Sequence, residues 1–175
     1  MNSSISPITG PDTLGLSRFP RVDICHQPTP IEPMIRLSEH LGSAQFYIKR
    51  DDCTGLAGGG NKTRKLEFLV GDAVSKNADT LVTQGAVQSN HVRQTAAAAC
   101  RYNLASHALL ERRIADTACS YESTGNVLLD RLFGTQLEFR GPALDMNAEA
   151  LAACKELEAT GAKPYFIPGG GSNEI

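Results

Sequence analysis

Residues 80–90 read TLVTQGAVQSN, and this stretch decides the fold. Residues 80–83 favour a β-strand because three of the four are β-branched. Ser89 or Asn90 is a good N-cap for a helix, and the alanine-rich segment 92–100 is typical of a buried helix. The stretch therefore predicts a strand that passes through a short polar loop into a helix.

The same strand-to-helix order recurs on both sides of this stretch. Hydrophobic periodicity predicts strands near residues 46–48, 80–83, 106–110, 136–139 and 164–167, and helices near residues 61–76, 92–100, 123–133 and 145–161. Strands that alternate with helices join through right-handed crossovers into a parallel sheet. The sequence therefore predicts the α/β class.

Composition excludes several function classes. The 175 residues include 41% hydrophobic and 21% charged residues, which predicts a packed soluble core. The net charge of −2 argues against nucleic acid as a partner. No apolar run is long enough to span a membrane, and residues 1–15 predict a floppy leader without a signal peptide. Five scattered cysteines without a C-x-x-C pair fit a reducing cytoplasm better than a disulfide framework.

Lys62 follows a glycine run, residues 58–60, and opens an amphipathic helical pattern. Glycine lets the backbone come close to a ligand, and the free N–H groups of a helix start favour an anion or a polar ligand. A lysine that forms a Schiff base with a carbonyl cofactor needs such a partly dry setting. The alternative, an ordinary surface lysine beside a glycine turn, stays open on these residues alone.

A second candidate site is the segment 84–91, QGAVQSNH, at the carboxyl end of a predicted parallel strand. Open α/β sheets bind their ligands at this edge. The Ser89 hydroxyl, the Asn90 amide and the backbone N–H groups could bind a carboxylate or a cofactor oxygen. A helix cap alone needs only one such residue and stabilises by about 1 kcal/mol. His91 is either a proton shuttle or, more often for a lone histidine, a polar residue with a satisfied partner.

Other chemistries fail on spacing. The sequence has no G-x-x-x-x-G-K-[ST] phosphate loop, no G-x-S-x-G elbow and no dinucleotide fingerprint. The four histidines are too dispersed to predict a metal site. Asp51 and Asp52 are adjacent and point to opposite faces, so in place of an acid/base pair we predict that one of them fixes the loop or pairs with Arg50 or Arg64.

Three motifs resemble one enzyme family. Residues 48–55, 59–67 and 88–91, with Arg93-Gln94, are similar to the pyridoxal-phosphate-dependent family of D-cysteine desulfhydrase, L-cysteate sulfo-lyase and 1-aminocyclopropane-1-carboxylate deaminase. The resemblance runs from about residue 16 to residue 173. It implies the tryptophan-synthase-β-like fold, which is fold type II of the pyridoxal-phosphate enzymes.

The resemblance also implies site residues. Lys62 resembles the lysine that holds pyridoxal phosphate as a Schiff base, and Ser89 the active-site hydroxyl. Asn90 resembles the residue that bonds the ring hydroxyl of the cofactor, and the amides from Ser89 to His91 resemble the binder of the substrate carboxylate. Lys65 is expected near the cofactor phosphate.

The resemblance predicts the domain organisation as well. Residues 1–62 would be the N-terminal part of the large domain, residues 63–170 the small α/β domain, and residues 171–175 the start of a truncated return to the large domain. Family members continue past residue 175, so the chain is expected to be an N-terminal fragment with exposed apolar surface in its first part. A homodimer is expected at full length, with weak cofactor binding and little turnover for this chain alone.

The implied reaction removes a β sulfur substituent from an amino acid. Residues 51–55, 126–130, 145–149 and 168–173 resemble the sulfur-lyase branch, with L-cysteate sulfo-lyase first and D-cysteine desulfhydrase next. Arg93, Arg112 and Arg113 are candidates to meet a sulfonate. The alternatives are 1-aminocyclopropane-1-carboxylate deaminase and, in another class, a non-catalytic truncated small-domain module that binds a partner or an amino acid.

Overall fold

A computed structural model of the protein describes residues 14–142 and 144–173. The predicted leader therefore lies almost entirely outside the described residues, as does the end of the predicted return to a large domain. Within the described part, helices and strands alternate from the start of the glycine-rich segment onward.

Six strands and five helices make up the described part. The strands are β1 (Ile31–Pro33), β2 (Tyr47–Lys49), β3 (Thr80–Ala86), β4 (Ala105–Glu111), β5 (Gln136–Arg140) and β6 (Pro164–Ile167). The helices are α1 (Ile35–Leu41), α2 (Lys62–Ser75), α3 (Asn90–Arg101), α4 (Gly125–Leu132) and α5 (Met146–Ala159). Short 3₁₀ turns cover Leu16–Arg18, Asp51–Thr54, Leu56–Gly58 and Gly169–Gly171.

The main sheet is parallel, as predicted, with the strand order β5-β4-β3-β6. Thr80 of β3 pairs with Ala105 of β4 on one side and with Pro164 of β6 on the other. The chain therefore moves outward from β3 to β5 and then crosses back to place β6 on the opposite side of β3. This reversal is a topological switch point, where the loops after two neighbouring strands diverge and leave a crevice for ligands.

Helices cover both faces of the sheet because side chains alternate along β3. Leu81 packs with Leu66 and Val70 of α2 and with the alanines of α3, on the face that also receives Ile167. Val82 points the other way and packs against Met146 and Ala150 of α5. A third cluster joins α3 and α4 over the inner strand β4, and it contains Val87, Val92, Ala108, Leu110 and Val127.

The segment before the glycine loop is anchored on α2. Val22 and Ile24 are buried in the same cluster as Leu66, and the Val22 amide donates to the Glu67 carbonyl at 2.9 Å. Gly71 makes the crossing possible, since a Cβ there would lie 2.5 Å from a backbone oxygen of residue 20. This part of the chain thus belongs to the packed unit around α2.

Residues 31–49 form a separate antiparallel pair, β1 with β2, connected by α1. The sequence indicated a strand near residues 46–48 but gave no sign of β1 or α1. Large apolar side chains are exposed here, including Ile31 at 65%, Ile35 at 60% and Tyr47 at 60%. The expectation of exposed apolar surface in the first part of the chain is thereby confirmed.

No helix among the described residues is both long and apolar enough to cross a bilayer. Within the same residues, no group of three or more histidine, cysteine or acidic side chains is arranged to hold a metal ion, and the five cysteines are free thiols.

Candidate active site

The candidate site lies at the switch point, where the loops after β3 and β6 come together. The Thr83 hydroxyl donates to the Ile167 carbonyl at 2.8 Å and so ties the end of β3 to the end of β6. The loop after β3 leads into α3 at Ser89, and the loop after β6 forms the 3₁₀ turn Gly169–Gly171. The amino end of α2 completes the site from a third direction.

The glycine loop before α2 is held closely by the protein itself. Thr54 brackets Gly60, because its hydroxyl contacts both the Gly60 carbonyl and the Gly60 amide at 2.9 Å. A Cβ on Gly59 would lie 1.9 Å from the Asp52 carbonyl, and one on Gly60 would lie 2.4 Å from Gln94 Nε2. Glycine is therefore required at positions 59 and 60 by the protein's own packing.

Lys62 is the first residue of α2 and is half-buried. Its ammonium group makes no hydrogen bond or ion pair with any residue that the structure describes. Its charge nevertheless contributes to lowering the pKa of His91, which places the two side chains in the same region of the site. A lysine without a protein partner at a helix start is free to react with a ligand.

Gln94 joins the two motifs and was missed by sequence reasoning. It is 1% exposed, and its Oε1 accepts from the Thr63 amide at 2.9 Å and the Thr63 hydroxyl at 2.7 Å. Its Nε2 donates to the Asn90 carbonyl at 3.2 Å. A single buried amide thus fixes the residue after Lys62 to the first turn of α3. The only sequence signal was the place of Gln94 in the matched motif.

Ser89 is the N-cap of α3, and its Oγ accepts from the Val92 amide at 3.3 Å. The cap uses the oxygen and leaves the hydroxyl proton free to donate. Gly85 makes room for this side chain, because a Cβ there would lie 2.7 Å from Ser89 Oγ. The backbone amides of Asn90 and His91 have no acceptor among the described residues, so both are available to a ligand.

His91 points into the protein and is 4% exposed. Its Nε2 lies 2.9 Å from Thr83 Oγ1. Since that hydroxyl already donates to the Ile167 carbonyl, His91 must donate from Nε2, which leaves Nδ1 as an acceptor. Burial, assisted by the charges of Lys62 and Lys65, lowers the pKa of His91 to about 4. The ring is therefore neutral at physiological pH, which disfavours the proton-shuttle alternative.

Lys65 lies one turn further along α2 and is exposed. Its ammonium donates to the Gly170 carbonyl at 3.2 Å and to Ser172 Oγ at 3.0 Å. Lys65 thus holds the turn after β6 against α2 and keeps part of its donor capacity.

The two adjacent aspartates form separate ion pairs, whereas the sequence predicted such a role for one of them. Asp51 pairs with Arg64 at 2.8 Å, and Asp52 pairs with Arg50 at 2.7 Å. Hydrogen bonds from these arginines lower the pKa of each carboxyl group. Both carboxylates therefore support the glycine loop and are unsuited to accept a proton at neutral pH.

The arginines suggested for a sulfonate all have partners within the protein. Arg112 makes a bidentate contact with Glu122 at 2.6 and 3.0 Å and stacks over Phe139, while Arg113 pairs with Glu111. Arg93 donates to the Gly59 carbonyl at 3.0 Å. The described residues therefore contain no support for these arginines as a sulfonate site.

Arg93 lies near a carboxyl group that has no hydrogen-bond partner among the described residues. Asp130 of α4 is fully buried, and burial raises its pKa to about 7, against the opposing charge of Arg93. A raised pKa means that the folded protein holds a proton that the unfolded chain loses near pH 4. The contribution of the Asp130 carboxyl group to stability is present below about pH 4 and is lost as the pH rises to about 7.

Asp130→Asn should remove the loss of stability that the Asp130 carboxyl group causes as the pH rises. We expect the free energy of unfolding of the wild type, relative to that of the variant, to fall by up to about 4 kcal/mol between pH 4 and pH 8. Urea unfolding followed by circular dichroism at several pH values measures the difference. Equal pH dependence in the two proteins would show that Asp130 titrates normally.

Comparisons with known proteins identify relatives of the chain. The family model described as pyridoxal-phosphate dependent enzyme matches residues 22–175. D-cysteine desulfhydrases of Salmonella paratyphi B and Salmonella newport are each 52% identical to the chain over 160 residues, which are 91% of this chain and 48% of the relative. The chain thus spans about half the length of the curated relatives it matches.

Solved structures show the same fold. The crystal structure of an ACC deaminase homologue is 42% identical and superposes with a TM-score of 0.79 over 90% of this chain and 47% of its own. Diaminopropionate ammonia lyase of Escherichia coli, in its apo form, is 13% identical with a TM-score of 0.58 over 79% of this chain and 40% of its own, and it supports the fold alone.

Proposed function

Because the chain belongs to the family of pyridoxal-phosphate-dependent enzymes, we propose that it forms the lysine-bearing half of a carbon–sulfur lyase that acts on a small amino acid. D-cysteine is the first candidate substrate, since D-cysteine desulfhydrases are 52% identical to the chain. The observation that carries the proposal is Lys62, which has no partner among the described residues and is joined through Thr63 and Gln94 to the mouth of α3.

The residues at the site fit pyridoxal phosphate. An amine without a protein partner, Lys62, is what covalent attachment to the aldehyde requires. The free backbone N–H groups of Asn90 and His91 offer donors to anionic oxygens, and so does the side-chain NH₂ group of Asn90. His91 adds a neutral, buried acceptor at Nδ1. Lys65 remains a candidate for the phosphate, beside the turn Gly169–Gly171.

Each residue has a proposed task. When bound, pyridoxal phosphate withdraws electrons from the carbon that carries the amino group and so weakens its C–H bond. Lys62 would hold the cofactor, and its Nζ would accept that proton; Ser89 Oγ is the alternative acceptor. The amides from Ser89 to His91 bind the substrate carboxylate at the amino end of α3. The overall change converts D-cysteine and water into sulfide, ammonia and pyruvate.

The substrate is tested by supplying the protein and pyridoxal phosphate with D-cysteine, L-cysteate or 1-aminocyclopropane-1-carboxylate. We expect sulfide and pyruvate from D-cysteine in a ratio of about one to one, since each turnover releases one of each. Release of sulfite from L-cysteate would instead support L-cysteate as the substrate, which the sequence motifs placed before D-cysteine. Formation of a 2-oxo acid from the cyclopropane alone would support the deaminase, which the 42% identical homologue makes the second candidate.

The remaining proposals concern the setting of the protein. We propose a cytoplasmic location and a homodimer for the complete enzyme, with the small amino acid as the ligand. The contrasting class is a non-catalytic module that binds an amino acid or a partner. Saturable binding of an amino acid without formation of any 2-oxo acid, at every pyridoxal phosphate concentration, would favour that module.

A further inference from the structure

We propose that Asn126 is a positioning residue that fixes the amide of Asn90 so that its NH₂ group is turned toward the ligand. The identity of that ligand, pyridoxal phosphate, rests on the proposed function, while the orientation of the amide does not. Asn126 lies near the amino end of α4, and Asn90 is the first residue of α3.

The orientation follows from a backbone carbonyl. Asn126 Nδ2 donates to the Gln88 carbonyl at 2.8 Å and to Asn90 Oδ1 at 3.0 Å. A carbonyl only accepts, so the side of the Asn126 amide that faces Gln88 must be the NH₂ group. Its second hydrogen then requires an acceptor on Asn90, which only Oδ1 supplies. The Asn90 NH₂ group is left without a partner among the described residues.

Gln88 holds Asn126 in place through its side chain. Gln88 Oε1 accepts from the Asn126 backbone amide at 2.9 Å, and Nε2 donates to the carbonyls of Tyr121 and Thr124 at 2.6 and 3.1 Å. Both polar atoms of the Gln88 side chain thus bond the loop after β3 to residues at and just before the start of α4. The amides of Gln88 and Asn126 are both oriented by backbone groups, and the Asn126 amide in turn orients that of Asn90.

The consequence is that the Asn90 side chain presents only its NH₂ donors to the ligand. The Asn90 NH₂ group joins the free backbone amides of Asn90 and His91, while Asn90 Oδ1 is already used. Such a set binds an oxygen that carries negative charge and rejects a ligand group that needs an acceptor. The ring oxygen of pyridoxal phosphate meets this requirement.

Asn126→Asp tests the proposal because a carboxylate of nearly the same shape can only accept. It would face two acceptors, so the Asn90 amide must turn and donate to it. Side-chain amide signals of Asn90 in ¹⁵N NMR spectra of the unliganded chain report the change. We expect downfield movement of one amide proton and affinity for added pyridoxal phosphate that is weaker by about tenfold or more.

Asn147→Asp is the matched control. It makes the same chemical change at a residue whose Oδ1 accepts a hydrogen bond from Gln84 Nε2 at 3.0 Å. A carboxylate oxygen can accept the same bond, so the contact with Gln84 is kept. We expect unchanged Asn90 signals and unchanged affinity. Thermal unfolding midpoints of both variants show that differences do not come from loss of the fold.

The outcomes separate the two claims. Unchanged Asn90 amide signals in folded Asn126→Asp would overturn the positioning role. A turned amide with unchanged affinity would support the positioning role and refute contact between Asn90 and the cofactor. If Asn126→Asp fails to fold, Asn126→Ala replaces it: Asn90 should then sample both orientations, with exchange-broadened signals and about twofold weaker binding. Sharp, unmoved signals in that variant would overturn the proposal.

Discussion

In the complete enzyme, Lys62→Ala is expected to abolish covalent attachment of pyridoxal phosphate at the site and to lower turnover by at least about 10³-fold. The amine is the only group of this residue that can bond to the aldehyde, and the same amine is the first candidate for proton transfer. Titration with pyridoxal phosphate, followed by the absorbance change on attachment, measures the first effect. Formation of the 2-oxo acid from D-cysteine measures the second.

Two control variants separate the amine from charge and from background labelling. Lys62→Arg keeps the positive charge and removes the reactive amine, so it should fail like Lys62→Ala. Lys76→Ala removes an exposed lysine that pairs with Asp72 on the surface and should behave as wild type. Wild-type turnover in Lys62→Ala would refute the assignment of Lys62.

The closeness of the Lys62 side chain to His91 can be tested in the unliganded chain. The pKa of His91 is lowered to about 4 by burial first and by the charges of Lys62 and Lys65 next. Removal of the Lys62 charge should therefore raise the pKa of His91, while Lys62→Arg should leave it low. Titration of the His91 ring by NMR shows this, and identical values in all three proteins would place Lys62 too far away to act in this site.

Ser89→Ala is expected to lower kcat by about 10²-fold while it destabilises the protein by only about 1 kcal/mol. The small stability term follows from the long cap bond of 3.3 Å to the Val92 amide. The large kinetic term follows from the hydroxyl proton, which the cap leaves free. Steady-state kinetics and chemical denaturation measure the two terms separately.

Asp145→Ala supplies the matched control for a cap without a catalytic role. Asp145 caps α5 through bonds of 3.1 Å to two backbone amides. We expect a similar loss of stability and an unchanged kcat. If Ser89→Ala gave the same kinetics as Asp145→Ala, Ser89 would be a helix cap and nothing more.

The sheet could be predicted from the sequence because its signals are local. Thr80–Ala86 combines β-branched residues with a bounded apolar run, and Ser89 and Asp145 are caps whose side chains bond residues two or three positions on. Such short-range chemistry survives in any tertiary context. The strand order could not be predicted from the sequence, because the placement of β6 beside β3 depends on how α5 packs across the face of the sheet opposite to α2 and α3.

The missed elements had weak local signals. β1 is three residues long, ends in a proline and is stabilised only by its pairing with β2. Pattern reasoning identifies a strand by alternation over at least four residues, so Ile31–Pro33 gave no usable signal. The strand exists because its partner strand is near, which is a property of the folded chain.

The candidate site shows the same division. Lys62, Ser89 and Asn90 were identified from their residue types and from the motifs around them. Gln94, Asn126 and Gln88 were given no role, since the bonds that connect them to other segments span about 30 residues or more. Only the fold reveals which amide orients which functional side chain.

The central claim is that the Lys62 amine bonds covalently to pyridoxal phosphate at the mouth of α3. Borohydride reduction of the chain at a low molar ratio of cofactor, followed by peptide mass spectrometry, maps the attachment among the six lysines. The account predicts that Lys62 carries most of the pyridoxyl label. Label spread over the exposed lysines with little on Lys62 would contradict it.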